Sequence, residues 1–306
     1  MQTAHKKNTL SASKTVYILV GPTAVGKTAF AISLAQQLNT EIISADARQC
    51  YQEMNIGVAR PNKAQLEAVP HHFIASHSIH ETINASVFEA YALGKVAEIF
   101  ESKDAVVMVG GTGLYIKAFC EGLDMIPSIA PEIREGIIQQ YEKLGLRWLQ
   151  KEVSVHDPIY WERGEQQNPQ RLMRALEVKM GTGNSIVGFQ HKNKITRPFN
   201  IVKIGLEMPR ELLYERINKR VLNMVEEGLE LEVKSLLPYI NSNALQTVGY
   251  SEWLPFFEGK EEPSRVIEMI QQNTRHYGKR QMTWFKKDPE IKWYQASSIK
   301  VDQIIP

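Results

Sequence analysis

Residues 15–38 read "TVYILVGPTAVGKTAFAISLAQQL", and three textures follow one another within them. "TVYILV" (Thr15–Val20) is a short apolar run rich in β-branched residues, the pattern of a buried strand. "KTAFAISLAQQL" has the apolar spacing of a helix. Between them Gly21, Gly26, Lys27 and Thr28 match G-x-x-x-x-G-K-[ST]. Glycines let such a loop fold around oxygens, its N–H groups point inward, and the helix N-terminus adds partial positive charge. Lys27 is then expected on a terminal phosphate and Thr28 on Mg²⁺. ATP is the default occupant, and other diphosphates fit the same cradle.

Further along, "EIIS" (Glu41–Ser44), "AVVMV" (Ala105–Val109) and "IVKIGLEM" (Ile201–Met208) read as strands, with "IKWYQ" (Ile291–Gln295) as an edge strand. A helix is expected from about Ala85 to Glu101. This alternation predicts an α/β fold: a P-loop NTPase-like core with a mostly parallel sheet covered by helices. From Pro131 to about Gly181 only helical patterns occur, with Pro131 and Pro169 at first-turn positions and Asn168 as an N-cap. The expected organisation is a first core part at 14–119, an inserted all-helical domain at 120–197, and a second core part with C-terminal helices at 198–306.

The chain has 306 residues, 43% of them hydrophobic, which allows a sizeable core. No apolar run is long enough for a membrane span. Met1–Lys14 is polar, lacks an apolar signal core and reads as a disordered lead-in. Two cysteines, Cys50 and Cys120, without metal-like spacing point to a reduced, cytoplasmic protein without structural zinc. His71-His72 lacks a third ligand pattern, so no metal site is expected there. A net charge of +2 neither requires nor forbids a nucleic-acid partner, because local patches decide that.

The surroundings of the glycine loop weaken the ATP reading. "AVVMVGG" ends in glycines, where a hydrolysing NTPase usually has an acid, and a guanine-reading N-K-x-D is absent. The acid at a strand's carboxyl end is Asp46, after "EIIS". In open α/β sheets those ends form the ligand crevice, although a loop or N-cap acid would look the same. "RELLYERINKRVLNMVEEGL" (Arg210–Leu229) is an amphipathic helix with Leu213, Ile217, Val221 and Val225 as its buried stripe and Glu215–Lys219 as an i,i+4 pair. Arg216 and Arg220 have no acid three or four residues away, which suits an external anion such as pyrophosphate or, equally, a solvated face. "NTRHYGKRQMTWFKK" (Asn273–Lys287), "NPQRLMRALE" and "HKNKITR" (His191–Arg197) carry cations, the first interleaved with aromatics. They are candidates for RNA phosphates and bases, each alone being equally an ordinary surface helix or linker.

Taken together, "GPTAVGKT", "ISADARQCYQEMNIGVARP", "VPHHFI", "VGGTGLYIKA", "NPQRLMRALE", "ELLYERINKRVLNM", "TVGYSEW" and "KRQMTWF" give the sequence a resemblance to the bacterial tRNA dimethylallyltransferases, or adenosine isopentenyltransferases, from about Thr15 to Trp284. The resemblance implies transfer of a dimethylallyl group from its diphosphate to the exocyclic amine of the adenosine just 3′ of the anticodon, with Mg²⁺. It implies a P-loop core with a helical insertion, and a monomer acting on the tRNA anticodon stem-loop without a partner protein. It implies that Gly21, Pro22, Thr23, Ala24, Val25, Gly26, Lys27 and Thr28 bind the prenyl diphosphate, with Thr28 on the metal. Asp46 then matches a general base and Arg220 an arginine that steadies the diphosphate beside Lys27. Implied tRNA contacts are Asp46, Ala47, Arg48 and Gln49; Thr112; Arg134; Gln170, Arg171, Leu172, Met173 and Arg174; and Leu245, Gln246, Thr247, Val248, Gly249 and Tyr250.

The sequence departs from the family pattern at three places. Asp46-Ala47 stands where Asp-Ser is usual, Gly57-Val58-Ala59-Arg60-Pro61 where Gly-Thr-Ala-Lys-Pro is usual, and Gly278 where alanine is usual. The first two each lose a hydroxyl. With Asp46, Lys27, Thr28 and Arg220 retained, activity is expected. The alternatives are a P-loop small-molecule kinase, which explains neither the later motifs nor the unpaired arginines, and a weakly active tRNA-binding paralogue with altered preference.

Overall fold

The computed structural model describes residues 14–190 and 194–305. The Met1–Lys14 lead-in, apart from Lys14, and the start of the His191–Arg197 segment lie outside them. The chain divides into two compact units, 1–120 with 196–306, and Glu121–Ile195.

The first unit is built on one sheet. Its strands are β1 (Thr15–Val20), β2 (Ile42–Ala45), β3 (His71–His72), β4 (Ala105–Gly110), β5 (Asn200–Glu207) and β6 (Lys292–Gln295), in the order β3-β2-β4-β1-β5-β6. Every pairing is parallel. Parallel neighbours need crossovers that cover both faces, so the central strands are apolar throughout. In β4 every residue is buried, as are five of the six in β1. The crossovers are α1 (Lys27–Gln37), α2 (Lys63–Ala68), α3 (Ala85–Phe100) and α4 (Gly113–Glu121). On one face Leu19, Leu34, Ile42, Val107, Leu206 and Ile217 share a core cluster. Elsewhere Phe88 of α3 stacks on Tyr115 of α4 with ring centroids 4.6 Å apart. The parallel register puts the carboxyl ends of β1, β2 and β4 side by side.

The Glu121–Ile195 unit is helical: α5 (Pro131–His156), non-helical at Gly145, then α6 (Pro158–Arg163) and α7 (Pro169–Thr182). Asn168 caps α7, its side chain accepting from the Arg171 N–H at 3.3 Å. Ile137, Leu149, Val153, Tyr160, Leu172 and Leu176 form its core. The buried carboxylate of Glu177 receives Arg134 on one oxygen at 2.7 Å and Arg174 on the other at 2.8 Å.

After β5 come α8 (Arg210–Glu226), α9 (Leu229–Leu236), α10 (Leu254–Phe257) and α11 (Pro263–Phe285). The helix expected over Arg210–Leu229 therefore ends early. Gly228 has φ 99°, a left-handed conformation that breaks the run, and Leu229 opens α9. Leu213, Ile217 and Val221 are buried as expected, while Val225 is only half-buried next to that break. Glu215 and Lys219 are both exposed on α8, and no ion pair joins them among the described residues.

Gly278 sits inside α11 and is buried. A Cβ there would meet Pro22 at 3.7 Å and Ile217 at 3.8 Å, ordinary contact distances. Gly278→Ala is therefore expected to fit and to stabilise the protein by about 0.5–1 kcal/mol through helix propensity, read as a raised midpoint in chemical denaturation.

Candidate active site

The phosphate loop leaves β1 and enters α1. Lys27 is half-buried as a residue, but its ammonium is folded back onto the loop, donating to the Gly21 carbonyl at 2.9 Å and the Pro22 carbonyl at 2.8 Å. Burial first, and then Arg220 nearby, lower its pKa to about 7, with Asp46 acting in the opposite direction. Arg220 comes from α8 and donates to Thr23 Oγ1 at 3.0 Å. Its own pKa is lowered by burial, then by Arg216, with Asp46 again the opposing charge. One carboxylate thus acts on both cations, and this places Asp46 in the crevice with the loop.

Arg216 and Arg220 do not share one target. Arg216 is exposed and lines a cavity of about 320 Å³ beside Gly26, with Val25, Phe30 and Leu206. Arg220 alone reaches Thr23.

Asp46 follows β2. Its Oδ1 accepts the N–H of Arg48 at 2.9 Å and of Gln49 at 3.2 Å, so it closes the turn as a loop acid does. That turn fixes the carboxylate's orientation, and Oδ2 makes no hydrogen bond among the described residues. Thr112, after β4, braces the same turn: its N–H donates to the Ala45 carbonyl at 3.2 Å and its Oγ1 accepts the Ala47 N–H at 3.0 Å. The missing acid at this strand end has a packing reason. A Cβ on Gly110 would lie 2.1 Å from the Ala45 carbonyl oxygen, and one on Gly111 would lie 2.0 Å from Gln281 Nε2. At Gly110 the obstacle is backbone, so no side chain fits; at Gly111 a side chain would have to displace the Gln281 amide.

A match to the family model for IPP transferase covers residues 49–288. A tRNA dimethylallyltransferase from Christiangramia forsetii is 48% identical over 277 residues, 90% of this chain and 92% of the relative. The chain belongs to the IPP transferase family. Among solved structures, a tRNA isopentenylpyrophosphate transferase from Bacillus halodurans superposes with TM-score 0.69 at 34% identity, covering 96% of this chain and 93% of that one. A eukaryotic dimethylallyltransferase captured acting on tRNA superposes with TM-score 0.77 at 25% identity, over 93% of this chain and 74% of that one.

Not every residue that family resemblance implied for tRNA is exposed. Leu172, Met173, Leu245 and Tyr250 are each 3% exposed or less, so their side chains are core and cannot themselves touch RNA. Gln170, Arg171 and Gln246 are exposed, and Arg174, Thr247 and Val248 half-buried. Tyr250 has another task. Its hydroxyl donates to Glu232 at 2.6 Å, and that carboxylate also receives the N–H groups of Asn55, Ile56 and Gly57. Three successive amides on one carboxylate fix the loop that carries Val58 and Arg60. Arg60 in turn donates to the carbonyls of Tyr51, Gln52 and Met54, and Gln49 Nε2 donates to those of Val58 and Ala59. Arg197, expected in a basic linker, is buried against Glu89 at 2.6 Å and the carbonyls of Ala118 and Phe119. His72 pairs with Glu41 at 2.5 Å.

Sequence reading missed Gln281 as a site residue. Gln281 is 5% exposed; its Oε1 accepts the Thr23 N–H at 2.8 Å and its Nε2 donates to the Gly111 carbonyl at 3.1 Å. The one available signal was its place in "KRQMTWF", two residues from Lys279 on a helix whose apolar face is broken by glutamine.

The state of Lys27 gives a sign to pH dependence. Its pKa of about 7 lies below the ordinary lysine value, so above pH 7 Lys27 is largely neutral amine. An arriving diphosphate raises that pKa, so binding takes up a proton and affinity falls as pH rises above about 7. At pH 8.5, calorimetry of an alkyl diphosphate in buffers of different ionisation enthalpy is expected to show uptake of about one proton. Lys27→Met is expected to abolish it; equal uptake by that variant would reject the assignment.

Proposed function

We propose that this chain transfers a dimethylallyl group from dimethylallyl diphosphate to the exocyclic amine of the adenosine 3′ to the anticodon in tRNA, releasing diphosphate. Its family and the names of its relatives support prenyl transfer to tRNA. The carrying observation in the structure is that one carboxylate, Asp46, sits in the electrostatic reach of two half-desolvated cations, Lys27 and Arg220, at adjoining strand ends.

The chemistry needs that combination. An allylic carbon on a diphosphate is a poor electrophile until the leaving oxygens are neutralised, and buried cations with inward loop N–H groups supply that field. As the carbon–oxygen bond breaks, its electron pair leaves with the diphosphate toward Lys27 and Arg220. An adenine amine is a weak nucleophile because its lone pair is delocalised into the ring. Asp46 Oδ2, left available by the turn that consumes Oδ1, accepts its hydrogen bond and takes the proton as nitrogen and carbon join. The adenosine has to leave the anticodon stack to reach a carboxylate at the base of a crevice.

Thr28 is the residue we assign to Mg²⁺. Its hydroxyl makes no hydrogen bond among the described residues, and no group of three or more His, Cys, Asp or Glu stands ready as a cage. One hydroxyl with the substrate's own oxygens suits a cation that keeps few protein ligands, and when bound it adds to the neutralisation of the leaving group. We read the chain as a monomer that needs no partner protein. No helix among the described residues is long and apolar enough to cross a membrane.

The test mixes the purified protein with labelled dimethylallyl diphosphate, Mg²⁺ and unmodified tRNA carrying that adenosine. Label is expected on the tRNA; ATP turnover without transfer would instead favour a kinase, and tRNA binding without transfer an inactive paralogue. Asp46→Asn is expected to keep diphosphate affinity while kcat falls by about 10²-fold or more. Arg220→Ala is expected to raise KM for the prenyl diphosphate well beyond any change in tRNA Kd, and equal losses would argue against its place on the diphosphate.

A further inference from the structure

The two halves of the proposed chemistry sit on different strands. The cations belong to the loop after β1 and to α8, whereas Asp46 follows β2, and β4 lies between them. Something has to fix the distance between them, and the hydrogen bonds trace one continuous path. The backbone on either side of Asp46 is bonded to Thr112, through the Ala45 carbonyl and the Ala47 N–H. Thr112 adjoins Gly111, whose carbonyl accepts from Gln281 Nε2. The same amide's Oε1 accepts the N–H of Thr23, and Thr23 Oγ1 accepts from Arg220.

We propose that Gln281 is a positioning residue for group transfer: its amide joins Thr23 to Gly111, and so holds Arg220 and the phosphate loop in register with Asp46. This rests on the prenyl-transfer reading above.

The details suit that task. A primary amide has an acceptor and a donor on opposite sides, and here the acceptor meets an N–H and the donor a carbonyl, so only one amide orientation works. Tyr277, one turn earlier on α11, lies beside it: its hydroxyl and the Gln281 amide both border the space above Gly111. The amide is buried and fills the space above Gly111. Thr23 is gripped from both sides, its N–H by Gln281 and its hydroxyl by Arg220. Freed of Gln281, the loop would keep Arg220 but lose its fixed distance from the base.

Gln281→Glu separates positioning from mere packing. A glutamate there keeps the acceptor and the shape but as a carboxylate sets an oxygen, in place of the amide N–H, against the Gly111 carbonyl. Protonated, it regains a donor and mimics the amide. Burial raises a carboxyl's pKa, so the variant's kcat relative to the unaltered enzyme is expected to recover toward low pH, rising by about tenfold per pH unit over its titration. Gln281→Ala is expected to lower kcat by about 10–100-fold and weaken inorganic pyrophosphate binding about fivefold or more, with tRNA Kd changed less than about twofold. Circular dichroism on both variants reports folding. Normal kcat and pyrophosphate affinity in Gln281→Ala, or a flat pH ratio in Gln281→Glu, would overturn the proposal. If the unaltered protein transfers no prenyl group yet Gln281→Ala still weakens pyrophosphate binding, the clamp stands and the prenyl-transfer reading falls.

Discussion

Two cations held away from water beside one another are the constraint on which the rest of the structure depends. Burial is the larger cost for both; Arg220 then depresses the protonation of Lys27, and Arg216 that of Arg220. A fold tolerates this only where hydrogen bonds and an opposing charge compensate. Here the loop carbonyls of Gly21 and Pro22, the Thr23 hydroxyl and the Asp46 carboxylate do so. The parallel sheet makes it possible, because it brings the carboxyl ends of β1, β2 and β4 to one edge. Gly110 at the end of β4 follows from the same crowding: the ends of β2 and β4 are too close there for a Cβ.

Much of this was legible in the sequence. The phosphate loop stood out by its glycine spacing, β1, β2 and β4 as short apolar runs of buried parallel strands, and the partly exposed β5 and β6 as apolar stretches broken by lysine. The two-residue β3 left no trace, since two residues have no period. Asp46 was readable by its place after an apolar run, and Arg220 by its lack of a helical partner. Gln281 was not, because a glutamine on an amphipathic helix looks like surface until its two partners, more than a hundred residues away, fold around it. Motif resemblance also mixed roles. A stretch such as Gln170–Arg174 alternates exposed and core positions, so Leu172 and Met173 are there to hold up their neighbours.

The departures from the family pattern are absorbed locally. Ala47 contributes its backbone N–H to Thr112, which any residue but proline would do. Val58 is read by Gln49 through its carbonyl, and Arg60 uses its guanidinium to gather three carbonyls of a neighbouring turn. Glu232 completes that loop from α9, so its amides are already satisfied by an internal carboxylate. The lost hydroxyls therefore leave the loop's architecture resting on main-chain groups.

The folded-back posture of Lys27 has a consequence for turnover. A cation stranded by a departing anion would hold that anion tightly, and release would throttle the cycle. Here the ammonium has two carbonyls to fall back on. Each departing product is exchanged for an internal solvation shell that costs no diffusion to assemble. On the reading proposed above, the loop trades some resting affinity for its diphosphate against a faster exit of what it has made.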